Sequence, residues 1–252
     1  MRIKWEISWF VIILFNVICY ATNKINSSVA FNTEVIEQGR LVSKQSLTTH
    51  IGGVIRNDTW GIYNDFNIVS PLQYKNLFPN RWSIYGGFLK KLTEHFTFDL
   101  GVKYTFLQRF GFEPLHQWMK YYAGIRSNLL MTPKFYLSWD HKRRQWSVET
   151  SFKYDFDIFD CKDCKLSWET KFGFLKGRKP YGRRQGFIQR KYKYYYIEIE
   201  LLLKRRFKDA MDFYIGPKFA YNSGNKKYRT IVNTATHHSR FCSLCFGLEL
   251  SF

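Results

Sequence analysis

The sequence predicts an all-β protein: a transmembrane, antiparallel, up-and-down β-barrel of about 12 strands that follows a cleaved signal peptide. Three observations predict this fold, namely period-two alternation of apolar and polar residues, a high aromatic content and a short apolar segment near the N-terminus. Aromatic residues make up 19% of the 252 residues, and charged residues make up 23%. A wall that faces lipid on one side and a polar lumen on the other needs both kinds of residue.

The N-terminal segment has the three parts of a secretory signal peptide. Arg2 and Lys4 precede a mostly apolar stretch, Trp9–Cys19, and Cys19 and Ala21 are small residues at the −3 and −1 positions of a cleavage site. The alternative is an uncleaved membrane anchor, but the apolar stretch is short for a spanning helix. We therefore expect residues 1–21 to be a signal peptide and residues 22–252 to form one barrel domain.

Alternation is clearest in four segments, 96–106, 146–156, 166–174 and 242–252. In these segments 21 of 23 positions on one face are apolar, against 1 of 19 on the other. If the apolar face pointed inward, as in a soluble barrel, its aromatic rings would overfill the interior. We therefore expect the rings to face lipid and the polar residues to line a hydrated lumen.

Turn signals and alternation together delimit twelve candidate strands, and an even number suits a barrel whose termini lie on the same side. The predicted strands are 29–38, 46–55, 59–70, 81–91, 96–107, 116–129, 134–140, 145–157, 165–174, 191–205, 210–222 and 241–252. Short connections, as at 92–95 and 206–209, alternate with long ones, as at 71–80, 108–115, 175–190 and 223–240. This alternation is typical of short periplasmic turns and longer external loops. Pro217 lies within a predicted strand and lacks a backbone donor, which favours a β-bulge there.

The last strand resembles the assembly signal of bacterial outer-membrane barrels. Its apolar residues alternate and it ends on an aromatic residue, as Leu248, Leu250 and Phe252 show. The resemblance implies recognition by the barrel-assembly machinery and a location in the outer membrane of a Gram-negative bacterium. Outer-membrane lipid and lipopolysaccharide would then be the surrounding partners.

A second resemblance concerns the N-terminal third. The segments Phe31–Glu34, Gly39-Arg40 and Thr59–Tyr63 look like the opening strands of the porins called the TorF family. This resemblance implies a pore and names no solute.

The polar face supplies charged residues of both signs to the predicted lumen. One interpretation is a narrow channel whose charges set selectivity, and the alternative is a lumen closed by paired side chains. The predicted pore-lining residues are Asp65, Asp99, Lys103, Lys120, Arg126, Asp140, Glu149, Lys153, Glu169, Lys171, Glu198, Glu200, Lys218 and Glu249.

The formal net charge of +19 is concentrated outside this lining. Arg178, Lys179, Arg183 and Arg184 lie in the predicted loop 175–190, where they could contact lipopolysaccharide phosphates or gather anionic solutes, or simply be solvated. A nucleic-acid partner is not expected, because the aromatic residues fall on the uncharged face rather than among the bases.

The cysteines and one histidine pair suggest further chemistry. Cys161 and Cys164 could form a local disulfide in an oxidising compartment. No metal site is expected at these cysteines, because the turn that holds them supplies no histidine pair as further ligands. His237 and Ser239 raise the possibility of a barrel lipid hydrolase, but no carboxylate orients them.

The sequence thus predicts a barrel without enzymatic activity and without a cofactor, through which small hydrophilic solutes diffuse passively. A non-conducting structural or adhesive barrel is the first alternative, and a barrel lipid hydrolase is the second.

Overall fold

The computed structural model describes residues 24–38, 40–72, 80–108, 114–142, 144–158, 161, 163–179, 190–208, 210–223 and 240–252. The predicted signal peptide, residues 1–21, lies outside these ranges. No helix within them is long and apolar enough to span a membrane.

Twelve antiparallel strands form one closed barrel, which confirms the predicted fold class and strand number. Each strand pairs with its neighbours in the chain, and the last strand pairs with the first. Their bounds are β1 Lys24–Glu37, β2 Arg40–Arg56, β3 Trp60–Pro71, β4 Asn80–Lys91, β5 Phe96–Gln108, β6 Pro114–Ser127, β7 Lys134–Asp140, β8 Gln145–Asp157, β9 Cys164–Lys179, β10 Arg190–Lys208, β11 Met211–Asn222 and β12 Arg240–Ser251.

The seam between β1 and β12 closes the barrel. The backbone N–H of Ile25 donates to the carbonyl of Phe252 at 2.9 Å, and the N–H of Phe252 donates back at 2.8 Å. Because the sheet closes on itself, the body of each strand has a neighbour on both sides. The ends of the longest strands extend further, as residues 190–194 of β10 do on the β11 side. The polypeptide enters and leaves the barrel at the same end, opposite the turn between β1 and β2.

The apolar face points outward, as the alternation predicts. Leu100 and Phe246 are each 50% exposed on the outer wall, whereas the adjacent inward residues Asp99 and Cys245 are 0% and 8% exposed. Aromatic rings on the outer face also pack across strands, since the ring centroids of Trp82 and Phe106 lie 5.8 Å apart. In water such a surface would be an exceptionally large apolar patch; in a bilayer it is the lipid-facing belt.

The first hairpin is longer than the sequence indicates. Strand 29–38 and strand 46–55 were expected, but β1 begins at Lys24 and β2 at Arg40, so the connection shrinks to residues 38 and 39. The register shifts between Val35 and Ile36, which marks a β-bulge. Alternation is weak here because this end of the hairpin does not divide lipid from lumen, as described below.

The predicted loop 175–190 is partly strand. β9 continues to Lys179 and β10 starts at Arg190, and Lys179 pairs with Arg190. Both strands exceed the roughly 9–11 residues that cross a membrane, so the end of this hairpin needs no apolar face and its side-chain pattern gives no strand signal.

The expected bulge at Pro217 is absent. Pro217 pairs with Leu244 on the β12 side. On the β10 side the ladder has no pair between Glu200–Lys218 and Leu203–Ile215, and it resumes there in the same register. The missing donor of proline therefore interrupts the ladder without adding a residue to it.

Leu100→Arg tests the orientation of the wall. A cationic side chain on the lipid face near the middle of a strand costs roughly 2–4 kcal/mol, so we expect the free energy of unfolding from lipid vesicles to fall by about that amount. Leu100→Phe should leave it nearly unchanged. Equal stability of Leu100→Arg and the parent protein would mean that this face meets water.

Candidate functional site

The inside of the barrel is lined by the charged residues that the alternation assigned to it. A cavity of about 380 Å³ lies within the lumen. Nine of the predicted pore-lining residues border it: Asp65, Asp99, Lys103, Lys120, Arg126, Glu149, Lys171, Glu198 and Lys218. The other five lie on inward positions of β7 to β10 and β12 but do not border this cavity: Asp140, Lys153, Glu169, Glu200 and Glu249.

Ion pairs run around the wall of the lumen. Lys218 Nζ lies 3.0 Å from Glu198 Oε2, and Lys171 Nζ lies 3.2 Å from Glu169 Oε1. The first pair joins adjacent strands, β11 and β10, whose inward positions lie close across the ladder. The second joins residues two apart on β9, which share the inward face. Lys120 is the exception among the bases at the cavity: the described residues give it no carboxylate within 4.0 Å.

Asp99 is the centre of a buried polar cluster that ties four strands together. Its carboxylate accepts hydrogen bonds from Tyr63 Oη at 2.7 Å and Tyr136 Oη at 2.6 Å. Arg126 Nε donates to it at 2.8 Å, and the guanidinium lies 5.4 Å from the centre of the Tyr63 ring. Tyr122 joins the cluster through its hydroxyl, 2.6 Å from that of Tyr63. These charge-assisted contacts fix one side of the lumen wall.

Inward tyrosines lie opposite glycines on the neighbouring strand. The cross-strand pairs are Tyr63–Gly87, Tyr122–Gly101, Tyr136–Gly124, Tyr196–Gly173 and Tyr214–Gly247. In each pair, a Cβ on the glycine would overlap the tyrosine ring. The absent side chain therefore lets the ring lie against the wall instead of projecting across the lumen. Sequence reasoning missed this pattern, although single glycines on the polar face were visible in several strands, as at Gly101, Gly173 and Gly247.

The tip of the first hairpin enters the lumen, which the sequence analysis did not predict. We define the tip as Ile36, Glu37 and Gln38, all of which border the cavity. Glu37 forms ion pairs with Arg81 on β4 and with Lys103 on β5, the latter at 2.7 Å. Ile36 packs against Ala220 and Phe241 on β11 and β12. Glu37 ends a weakly alternating segment, so its sequence position carried no signal for the lumen.

The cysteines and the end of the last strand also have defined places in the barrel. Cys161 and Cys164 are joined as a disulfide in the turn between β8 and β9. Cys242 is exposed on the outer face and Cys245 is buried on the inner face, so the two cannot pair with each other. Leu248, Leu250 and Phe252 end the strand that closes the barrel, and their role in assembly stays a prediction.

The predicted anion-contacting loop needs correction. Arg178 and Lys179 belong to β9, where their backbones pair with Lys191 and Arg190 of β10. Arg183, Arg184, His237 and Ser239 lie outside the described residues. The loop therefore begins later than expected, because backbone pairing extends the hairpin past the apolar band.

The fold has counterparts among solved structures. No family model and no curated protein sequence matches the chain. The NanC porin is similar in fold, with a TM-score of 0.50 and 10% identity over 90% of this chain and 98% of that one. LpxR from Salmonella typhimurium has a TM-score of 0.47 and 8% identity over 90% and 99% of the two chains. The KdgM porin has a TM-score of 0.46 and 11% identity over 91% and 99%.

The closed wall, the apolar outer belt and the charged lumen define a membrane-spanning β-barrel whose fold is similar to that of a porin. This architecture agrees with the predicted location in the outer membrane. The resemblance to the TorF family stays a prediction.

Gly87→Ala tests the fit of the tyrosines against the wall. The added methyl group would overlap the Tyr63 ring and lie 2.7 Å from the Leu100 carbonyl oxygen. We expect a loss of roughly 1–3 kcal/mol in the free energy of unfolding, as in other overpacked sites.

Gly86→Ala is the matched control, because a Cβ there would meet only the Tyr63 carbonyl oxygen, at 4.0 Å. It should be neutral or stabilise by up to about 1 kcal/mol. Equal effects of the two substitutions would show that the ring does not occupy the space above Gly87.

Asp99→Ala tests the polar cluster. Loss of the carboxylate leaves the Tyr63 and Tyr136 hydroxyls and the Arg126 guanidinium without their acceptor. We expect a loss of roughly 2–3 kcal/mol, below the roughly 3–5 kcal/mol of fully buried pairs because the Arg126 side chain is 38% exposed. Asp155→Ala, at an exposed position of β8, should change stability little, and denaturant unfolding in detergent would compare the two variants.

Proposed function

We propose that the protein is a narrow, water-filled channel through which small hydrophilic solutes diffuse passively across the outer membrane, without covalent chemistry and without a cofactor. The observation that carries this proposal is the cavity of about 380 Å³ inside a closed barrel, bordered by charged and tyrosine side chains. A barrel packed solid by paired side chains would leave no such space between its walls. Here the polar lining provides hydrogen-bonding partners for water and solutes along the lumen.

The charges around the cavity indicate a weakly selective channel. Its acidic residues are Glu37, Asp65, Asp99, Glu149 and Glu198, and its basic residues are Lys103, Lys120, Arg126, Lys171 and Lys218. Five charges of each sign, most of them in ion pairs, leave little net field along the path. Uncharged and zwitterionic solutes are therefore the class that the lining favours.

Conductance in planar lipid bilayers tests the proposal. We expect discrete current steps, and a reversal potential near zero in a salt gradient. Lys120→Glu should shift the reversal potential toward cation selectivity, because this ammonium group borders the cavity and has no carboxylate partner among the described residues. Lys90→Glu changes the same charge at an exposed position that does not border the cavity, so it should leave the reversal potential unchanged.

The second candidate is a barrel that conducts nothing, and one observation favours it. The tip of the first hairpin lies inside the lumen and reduces the open cross-section. Heat-modifiable gel migration would establish that the reconstituted protein is folded. Folded protein without current steps, at any applied voltage, would replace the channel with this alternative.

The basic ends of β9 and β10 support a proposal about the surrounding lipid. Arg178, Lys179, Arg190 and Lys191 are adjacent in the paired ends of these strands. Basic residues at this end of the hairpin are the residue type that binds the phosphate groups of lipopolysaccharide. We also propose that the barrel-insertion machinery recognises the end of the last strand, through Leu248, Leu250 and Phe252.

A further inference from the structure

The tip of the first hairpin reaches the opposite wall of the barrel. In the closed order of twelve strands, β8 lies six strands from β2, which is the farthest separation that the ring allows. Gln38 Nε2 lies 3.4 Å from Ser147 Oγ on β8. The hairpin starts at β1 and β2, so this contact joins two points on opposite sides of the lumen. A loop that lay along its own side of the wall could not make it.

Contacts on both flanks hold the tip across the lumen. On one flank, Glu37 binds Arg81 and Lys103 on β4 and β5. On the other flank, Tyr194 Oη donates to the Gln38 carbonyl oxygen at 3.1 Å, and Lys218 Nζ donates to the Ile36 carbonyl oxygen at 3.2 Å. These partners belong to β10 and β11, so the tip is anchored from both halves of the barrel.

The backbone of the tip is shaped by these contacts rather than by local preference. Gln38 has a φ of 52°, in the left-handed region that disfavours residues with a side chain. Such a conformation costs of order 1–3 kcal/mol and persists where the surroundings over-determine it. Here the side chain and the carbonyl of Gln38 are bound by different strands, which supplies that constraint.

We propose that Ile36, Glu37 and Gln38 form a bar across the lumen that sets the size limit for solutes, and that Glu37 is the residue that holds the bar in place. This inference rests on the proposed channel function. The cavity beside the bar measures about 380 Å³, so the bar takes up part of the cross-section through which a solute must pass. Solutes too large for the remaining opening require the bar to leave its position.

Two changes remove the bar to different degrees. In the first, residues 35–43 are replaced by Asn-Gly between Glu34 and Lys44. These two residues face each other across the β1–β2 ladder, and Asn-Gly is the preferred two-residue turn for such a hairpin. In the second, Glu37→Gln keeps the shape of the side chain and removes its charge, which weakens the contacts with Arg81 and Lys103. Asp157→Asn is the matched control, because it neutralises an exposed acid in a loose surface pair, 3.9 Å from Lys165.

Single-channel conductance and the swelling of liposomes in sugars of graded size measure the result. We expect the shortened hairpin to raise conductance several-fold and to admit larger sugars than the parent protein does. Glu37→Gln should produce brief transitions to the same larger conductance, and Asp157→Asn should behave as the parent protein does. If the shortened variant folds but keeps the conductance and the size limit of the parent protein, the proposed role of the bar is wrong.

The outcome also separates this inference from the proposed function. A silent parent protein with a conducting shortened variant would support the bar and refute diffusion through the native channel. If the parent protein conducts and the shortened variant conducts equally, the channel is supported and the bar is refuted. If neither protein conducts, both the channel and the bar are refuted.

A cross-link tests the position of the bar without altering the fold. Gln38→Cys with Ser147→Cys, in a background of Cys242→Ser and Cys245→Ser, places two thiols across the lumen while Cys161 and Cys164 remain joined. A short bifunctional thiol reagent should link the two introduced cysteines, as peptide mapping would show, and linked channels should keep the parent conductance. Gln38→Cys with Asp157→Cys should not link. Failure of the Gln38–Ser147 pair to link in folded protein would place the tip elsewhere and overturn the inference.

Discussion

The hydrogen-bonded closure of β12 on β1 is the constraint on which the rest of the structure depends. Hydrocarbon offers no partner for a backbone N–H or C=O, so a sheet can cross a membrane only when every strand is paired on both sides. The pairs from Asn26–Ser251 to Asn32–Cys245 provide this closure. Once the ring is closed, every side chain must point either to lipid or to the lumen. The period of two along each strand then becomes a division between two environments.

That division explains why fold prediction was accurate for the wall. Residues such as Leu100 and Phe246 are apolar because they meet lipid, and Asp99 and Lys103 are charged because they meet the lumen. The contrast between faces is therefore imposed locally, strand by strand, and can be recognised without knowledge of tertiary contacts. It also located the inward charges correctly, since a residue's face follows from its register within the strand.

The same reasoning fails where a segment does not divide lipid from lumen. Ile36 and Glu37 contact opposite halves of the barrel, so their environment depends on strands far away in the sequence, and alternation says nothing about them. The fit of Tyr63 over Gly87 was hidden for a related reason: each residue looks ordinary in its own strand, and the pair exists only in the register of β3 with β4. The ends of β9 and β10 were missed because pairing beyond the membrane is a backbone interaction that leaves no pattern in the side chains.

The charged lining alone does not distinguish a channel from a plugged barrel. A closed lumen would also contain ion pairs such as Lys218–Glu198, because any charge enclosed by the wall needs a partner. What distinguishes the two is the space between the walls. The glycines opposite the inward tyrosines keep bulky rings against the wall and so enlarge that space, whereas the tip of the first hairpin occupies part of it. Together the two features support the proposed passage, which would be kept open along its sides and restricted by one element. In that proposal the contacts of Glu37, rather than the number of lumen charges, set the size of the opening.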